Sequence, residues 1–180
     1  VVKEPIVCKR KMAYVPDTPR LEEYMTGMQY LNFVCDIYQI SAKERKQNIE
    51  RLIHAFQMEP HISGLISSYS HGMKQKVALI AAFSHNPKLL VLDEPFVGLD
   101  PEAFIALKEQ MKMLCRKGSS VLFSSHILDV VEKLCNIISI IKDGRLLYSG
   151  LTEELIGVEG LEDAFMELNS NESFDPSIEK

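Results

Sequence analysis

The sequence lacks several features that would place the protein in a particular class. No run approaches the ~20 apolar residues that span a bilayer, and no signal peptide is visible. We therefore expect any link to a membrane to pass through another chain. Strong basic blocks are also missing, and 20 Lys and Arg against 25 Asp and Glu give a net charge of −5. This balance disfavours nucleic acid as a main partner.

The cysteines form no CxxC pair. The four of them are widely spaced, at Cys8, Cys35, Cys115 and Cys135, and three lie among apolar positions of helical spacing. This pattern predicts reduced, buried thiols in a cytosolic protein, with a zinc site or a disulfide framework as the alternatives. With 180 residues and 46% hydrophobic content, the chain is long and apolar enough for one globular domain, or one domain with a lobe.

The most informative stretch is LLVLDEPFVGLDP, at residues 89–101. Its continuous apolar start predicts a strand covered on both faces, in the middle of a parallel sheet. The strand ends in Asp93 and Glu94, where ligands of such sheets gather. Neighbouring strand residues point to opposite faces, and Pro95 favours an extended Glu94. In this arrangement one acid could hold a metal ion and the other a water molecule. The alternative is a buried strand that ends in two solvated acids.

Helix start signals recur along the chain. Thr26 with Gln29, and Ser41 with Glu44, have capping-box spacing before apolar stripes. Ser70 and Asp100 are predicted to cap two further helices, which end near Phe83 and Gly118.

Strand signals surround these helices. Short strands are predicted at Met12–Val15 and at Val121–Phe123. The pair Asp143-Gly144 predicts a hairpin that closes the sheet. An apolar helical set follows within residues 151–168, and the last dozen residues are expected to be loose.

Four short motifs occur in a fixed order: YSHGMKQK at 69–76, LLVLDEP at 89–95, GLDP at 98–101 and SSH at 124–126. Together they resemble the ordered motifs of an ABC transporter ATPase, over nearly the whole chain. The resemblance implies an α/β fold, with a partial P-loop NTPase core of mostly parallel sheet and a helical signature subdomain. YSHGMKQK and LEDAFMEL, at 161–168, look most like ATPases that serve export-type or multidrug-type permeases.

The resemblance also implies four segments. Residues 1–19 and 86–150 would form parts of the ATPase core, residues 20–85 the helical signature subdomain, and residues 151–180 a helical tail. No GxxxxGK[ST] loop occurs in the sequence. We therefore expect the N-terminal third of the nucleotide domain to be lacking and this chain alone to bind ATP weakly and not hydrolyse it. We also expect the central strand to lack the strand that should lie beside it, which favours self-association or altered edge pairing.

By resemblance, Asp93 would hold Mg²⁺ through a water, and Glu94 would polarise the attacking water. Phosphoryl transfer needs such positioning and neutralisation of charge. Ser70, His71 and Gly72 align with the signature that contacts the γ-phosphate of a nucleotide held mainly by the partner subunit. His71 stands where the family most often has Gly. The alternative for Ser70 is an ordinary helix cap.

Three more residues match family positions. His126 matches the switch histidine, which contacts the γ-phosphate and helps to hold the attacking water. Asp100 matches the loop that crosses the dimer interface, and it also suits a helix cap. Asp17 stands where the family usually has a metal-sensing Gln, so its carboxylate could reach the metal. An ordinary turn residue is an alternative of equal weight. The other histidines, His54, His61 and His85, match nothing and are predicted at the surface or in loops.

The resemblance thus predicts an ATP- and Mg²⁺-dependent ATPase subunit that pairs with a second nucleotide-binding domain and a membrane permease. It would work in the cytoplasm, at the inner face of the cell membrane. The alternatives are an ABC ATPase of DNA repair or translation, and a silent regulatory or structural fragment.

Overall fold

The computed structural model describes residues 3–156 and 160–170. These residues divide after Ser124 into two compact units. The elements of the first unit are α1 (Pro5–Arg10), β1 (Met12–Val15), α2 (Gly27–Ile37), α3 (Ala42–Ala55), a 3-10 turn (Ile66–Ser68), α4 (His71–Ser84), β2 (Leu89–Leu92), α5 (Pro101–Arg116) and β3 (Ser120–Phe123). The predicted four-segment organisation stays a prediction.

A parallel sheet of order β1-β2-β3 lies at the centre of the first unit. Its register pairs Val15 with Leu92 on one side and Leu92 with Phe123 on the other. Leu90 and Leu92, which share one face of β2, are almost fully buried, while Leu89 and Val91 on the other face are half-buried. The central strand is therefore paired on both sides, and the expectation that it lacks a neighbour is wrong.

The helix caps follow the sequence signals, with one difference. Thr26 accepts a bond from the Gln29 amide, and the Gln29 side chain accepts one from the Thr26 amide, which completes a capping box. Ser41 accepts from the Glu44 amide, but the Ser41 hydroxyl also donates to the Glu44 carboxylate at 2.8 Å. The second cap is therefore a serine cap in which the acid bonds the serine side chain.

The fourth helix, α4, is the most buried helix of the first unit. Ser70 caps it by accepting a bond from the Met73 amide at 3.2 Å. Every residue from Gln75 to Ser84 is buried, and α4 packs against α2, α3 and β1. The start of α4 is thus held by a core that surrounds most of its length.

The fifth helix begins as predicted. The Asp100 carboxylate accepts a bond from the Ala103 amide at 2.9 Å, and Pro101 occupies the first turn, where its missing N–H costs nothing. The helix ends at Arg116, and Gly118 follows with a φ of +80°. The short helix α1 had no clear sequence signal.

The second unit contains α6 (Leu128–Leu134), β4 (Ile137–Lys142), β5 (Arg145–Leu151), α7 (Thr152–Ile156) and α8 (Leu161–Ser170). Asp143 and Gly144 have positive φ and form the predicted hairpin turn. Among the described strands, β4 and β5 pair only with each other, so the prediction that the hairpin closes the sheet is wrong. Residues 171–180, most of the tail predicted to be loose, lie outside the described residues.

The four cysteines are free. Cys35 is buried, but Cys115 is exposed, so the prediction of buried thiols is wrong for Cys115. Within residues 3–156 and 160–170, no helix combines the length and apolar character that crossing a bilayer requires. The same ranges contain no group of three or more His, Cys, Asp or Glu arranged to hold a metal ion.

Candidate functional site

Polar residues follow all three parallel strands at one edge of the sheet. Asp17 comes two residues after β1, Asp93 comes directly after β2, and Ser124 comes directly after β3. The Asp93 amide donates to the Val15 carbonyl at 2.9 Å, which extends the β1–β2 pairing to the acid itself. The carboxyl ends of parallel strands are where ligands bind in such sheets, so the fold places these side chains correctly for a ligand.

Ser124 joins the two acids. Its hydroxyl donates to the Asp93 carboxylate at 2.6 Å and accepts from the Glu94 amide at 2.9 Å. Asp93 and Glu94 are half-buried, and Ser124 is exposed. The motifs in the sequence predicted no role for Ser124 itself. The available signal was its position directly after the strand that follows β2 in the chain, since such strands commonly pair in a parallel sheet.

Glu94 has a left-handed backbone. Its φ is +43°, so the prediction of an extended Glu94 before Pro95 is wrong. The chain turns here because the Val97 amide donates to the Glu94 carbonyl at 3.2 Å, while Ser124 holds the Glu94 amide. These bonds outweigh the preference that a proline imposes on the preceding residue. Positive φ in a residue other than glycine is uncommon, and such strain is concentrated at functional sites.

A second cluster, the helix-start cluster, consists of Ser70, His71, Gly72 and Gly98. A Cβ on Gly72 would lie 2.7 Å from the Gly98 carbonyl oxygen, which only a glycine permits. A Cβ on Gly98 would lie 3.0 Å from the His71 ring. The predicted signature residues therefore pack directly against the GLDP loop. The family most often has a glycine at position 71, whereas in this chain the His71 ring lies against Gly98 of that loop.

An ion pair reinforces this contact. Lys76 Nζ lies 2.5 Å from the Asp100 carboxylate, and the Lys76 side chain is 11% exposed. The hydrogen bond from Lys76, followed by the bond from the Ala103 amide, lowers the pKa of Asp100 below its usual value. Asp100 therefore caps α5 and anchors α4 with the same charged carboxylate. Its predicted role at a dimer interface remains a prediction.

Asp17 lies in a turn and borders a groove. Its carboxylate accepts from the Thr18 amide at 2.6 Å, which supports the turn alternative, while the metal role stays a prediction. The groove has a volume of about 640 Å³. Its apolar lining includes Val34 and Ile37 of α2, and Ala78 and Ala82 of α4.

His85 also lines this groove, and it lies in the turn directly after α4, which confirms its prediction as a surface or loop residue. Its ring is half-buried and stacks on Tyr38 with centroids 3.7 Å apart. Its Nε2 donates to the Met12 carbonyl at 3.4 Å, an oxygen that the Tyr38 hydroxyl also approaches at 3.3 Å. Burial lowers the pKa of His85, because the charged form of the ring loses hydration in this environment.

His126 lies in the second unit, in a bend two residues before α6. It is exposed. Beside it, the Ser125 hydroxyl accepts from the Ile127 amide at 3.1 Å, which shapes the entrance to α6. The predicted switch role of His126 remains a prediction.

The carboxyl end of the parallel sheet, where Asp93 and Glu94 lie, has the chemistry to bind Mg²⁺ and a phosphate ligand. Mg²⁺ prefers oxygen ligands and is commonly held by one or two carboxylates together with waters and substrate phosphates. Asp93 supplies such a carboxylate, fixed by Ser124, at the end of a buried strand. The start of α4 is a helix N-terminus, where backbone N–H groups and the helix dipole favour an anion.

Comparison with known proteins decides the family. The family model described as ABC transporter matches residues 4–97 of this chain. The chain belongs to the ABC transporter family. This membership confirms the family resemblance, and the parallel sheet with packed helices confirms the α/β fold class.

Individual members of the ABC transporter family support the assignment. The chain is 35% identical to the ABC-type transporter ATP-binding protein EcsA of Bacillus subtilis (strain 168), covering 92% of this chain and 67% of EcsA. It is 30% identical to the linearmycin resistance ATP-binding protein LnrL of the same organism, covering 91% of this chain and 56% of LnrL.

A solved structure described as the ATP binding subunit of an ABC transporter matches with a TM-score of 0.88. The two are 34% identical, and the match covers 93% of this chain and 72% of that chain. The chain thus spans 56% to 72% of the length of these three family members.

Proposed function

We propose that the complete protein containing this chain is the ATP-hydrolysing subunit of an ABC membrane transporter, working at the cytoplasmic face of the membrane. The observation that carries this proposal is the adjacent pair Asp93 and Glu94, positioned by Ser124 at the carboxyl end of a buried parallel strand. An acid pair at this place in an ABC protein suits Mg²⁺-dependent phosphoryl transfer.

The two acids divide the work. Asp93 would hold Mg²⁺, through a water, with the carboxylate that Ser124 orients. A Mg²⁺ ion held there would supply positive charge to offset the negative charge of the transferred phosphate. Glu94 accepts a hydrogen bond from the attacking water and so orients and polarises it. His126 contacts the γ-phosphate and helps to hold the same water.

The helix-start cluster acts on a different nucleotide. Ser70, His71 and Gly72 lie at the start of α4, where backbone N–H groups and the helix dipole favour an anion. These residues contact the γ-phosphate of ATP bound mainly to a second nucleotide-binding domain, so that ATP joins the two domains. Asp100 lies in the loop at that interface, and Asp17 responds to the metal from the turn after β1.

The groove beside Asp17 receives a helix of the permease. It is lined by apolar side chains of two helices and by the turn that follows β1, so a docked helix touches both the helical part and the sheet. Motion of the turn is thereby passed to the permease. No GxxxxGK[ST] loop occurs among these 180 residues, so this chain alone is proposed not to hydrolyse ATP.

The transporter is proposed to be an exporter. YSHGMKQK and LEDAFMEL resemble the corresponding stretches of ATPases that serve export-type permeases. One relative, at 30% identity, carries a linearmycin resistance name. ATP-dependent movement of a labelled drug into vesicles in which the subunit faces the lumen would contradict this direction.

Co-purification with the permease tests the transporter assignment. Ile37 lines the groove and is 56% exposed, so Ile37→Asp places a charge in the docking surface without disturbing the core. We expect this variant to lose the permease during affinity purification and to lose stimulation of ATP hydrolysis by the permease. Ile105→Asp is the control, because Ile105 is 62% exposed on α5 and does not line the groove. Equal retention of the permease by both variants would contradict the proposal.

A further inference from the structure

We propose that Ser124 is a positioning residue for ATP hydrolysis: its hydroxyl fixes the carboxylate of Asp93 and the backbone of Glu94 at the same time. The inference rests on the proposed function, and it assigns a role to a residue outside the acid pair. Ser124 reaches both neighbours from a different strand, with bonds of 2.6 Å to the Asp93 carboxylate and 2.9 Å from the Glu94 amide.

The bond to Asp93 determines the orientation of the carboxylate. A hydroxyl-to-carboxylate bond of 2.6 Å is a short, charge-assisted hydrogen bond of the stronger kind. It occupies Oδ1 and leaves Oδ2 as the oxygen that Ser124 does not use. Side chains that hydrogen-bond a metal-holding carboxylate orient it and tune its affinity for the metal. Loss of this bond therefore allows the Asp93 carboxylate to rotate away from the metal.

The bond to Glu94 holds a strained backbone. Glu94 has a φ of +43°, a conformation that a residue with a Cβ adopts at a cost unless its surroundings impose it. Ser124 holds the Glu94 amide, and the Val97 amide holds the Glu94 carbonyl. The direction of the Glu94 side chain depends on this backbone. Ser124 thus positions the acid that orients the water.

The serine side chain contributes little to the fold itself. Ser124 is exposed, and its backbone amide continues the β2–β3 pairing by donating to the Leu92 carbonyl at 3.0 Å. Ser124→Ala keeps that backbone bond and leaves the buried residues of β2 unchanged. We therefore expect the variant to fold.

Hydrogen exchange of single amides tests the geometry in the 180-residue chain without any nucleotide. We expect Ser124→Ala to accelerate exchange of the Glu94 amide at least tenfold, measured by NMR. The Asp93 amide is the internal control, because it donates to the Val15 carbonyl and not to Ser124. Ser41→Ala is the matched variant, since Ser41 makes the same two kinds of bond to Glu44 at a helix start elsewhere. Unchanged exchange of the Glu94 amide in Ser124→Ala would overturn the inference.

Kinetics of the complete protein with its permease test the catalytic consequence. We expect Ser124→Ala to lower kcat about 10- to 100-fold, to raise the Mg²⁺ concentration for half-maximal rate, and to leave KM for ATP nearly unchanged. Ser124→Thr keeps the hydroxyl and should restore most of the rate. If Glu94→Gln is inactive while Ser124→Ala keeps the wild-type kcat, the inference alone fails. If Glu94→Gln keeps the wild-type rate, both the proposed function and the positioning role of Ser124 are contradicted.

Discussion

At the scale of single residues, two buried glutamines differ in whether their side-chain amides have hydrogen-bond partners. Gln75 is fully buried in α4, and neither atom of its amide has a hydrogen-bond partner among the described residues. Gln110 is also buried, but its side-chain oxygen accepts a bond from Arg51 at 2.5 Å. Substitutions of the two glutamines therefore compare how an unpaired and a paired buried amide affect the free energy of unfolding.

Replacing Gln75 should stabilise this chain. Gln75→Met keeps the length of the side chain and removes two polar atoms that lack partners, so we expect the free energy of unfolding to rise by about 1–3 kcal/mol. Urea unfolding followed by circular dichroism measures this change. The matched variant Gln110→Met breaks a satisfied bond and should lower stability. A loss of stability in Gln75→Met similar to that in Gln110→Met would contradict the account.

His85 should make stability depend on pH. Burial lowers the folded-state pKa of His85, so protonation favours the unfolded state, and the contribution of the neutral ring is lost as pH falls below the unfolded pKa of about 6.5. His85→Phe keeps a ring stacked on Tyr38 and removes the titration. We expect the wild-type chain to lose stability relative to His85→Phe as pH falls from about 7.5 to 5. Parallel stability curves for the two proteins would contradict this expectation.

Residue positions set by local chemistry were predictable from the sequence, and those set across the sheet were not. Ser70 and Asp100 cap helices as predicted, because each bonds an amide three residues ahead. The bond from Ser124 to Asp93 joins residues 31 positions apart, and the φ of Glu94 follows from contacts of that kind. Sequence spacing alone carries no signal for such geometry.

At the scale of elements, the important contact joins the start of α4 to the loop that precedes α5. Gly72 and Gly98 approach too closely for a side chain on Gly72, and the ion pair between Lys76 and Asp100 holds the same two elements together. The elements that carry the predicted signature and the predicted interface loop are therefore joined within the first unit. Displacement of one should displace the other.

Gly72→Ala should separate these elements. Its Cβ would lie 2.7 Å from the Gly98 carbonyl oxygen, so the loop must shift, and we expect a loss of about 1–3 kcal/mol in the free energy of unfolding. Chemical denaturation measures the loss. Gly118→Asn is the control, because space at Gly118 is open and Asn tolerates its positive φ. Equal stability of Gly72→Ala and the wild-type chain would contradict a close contact between position 72 and the Gly98 carbonyl oxygen.

Element positions were largely predictable because apolar periodicity and capping residues mark them. The helices that begin after Thr26, Ser41, Ser70 and Asp100 lie where the sequence signals indicate. The hairpin turn at Asp143-Gly144 was predicted as well, but its pairing was not. A turn motif specifies two strands and says nothing about which sheet they join.

At the scale of the whole molecule, the three-stranded sheet has two open edges within the described residues. β1 and β3 are its outer strands, and each carries an exposed apolar side chain, Tyr14 at 63% and Leu122 at 62% exposure. The central strand is protected, contrary to the sequence-based expectation, because its two neighbours come from distant parts of the chain. We therefore expect association, where it occurs, at the two edges and not at the central strand.

Self-association of the 180-residue chain should therefore depend on the edges. Unpaired strand edges with apolar side chains favour pairing with another chain. We expect the wild-type chain to form oligomers in sedimentation velocity, and Leu122→Lys to shift the distribution towards monomer, because a charged edge residue opposes pairing. A wild-type chain that stays monomeric at high micromolar concentration would contradict this prediction.

The most direct test of the central claim is the rate of ATP hydrolysis by the complete protein with its permease, measured for Glu94→Gln. This variant keeps the shape of Glu94 but cannot accept the proton of the attacking water. We expect kcat to fall about 10²-fold or more while Mg²⁺-dependent ATP binding persists. Glu50→Gln, at an exposed position of α3, is the control and should keep the wild-type rate. Wild-type hydrolysis by Glu94→Gln would contradict the claim that this acid pair acts on Mg²⁺-ATP.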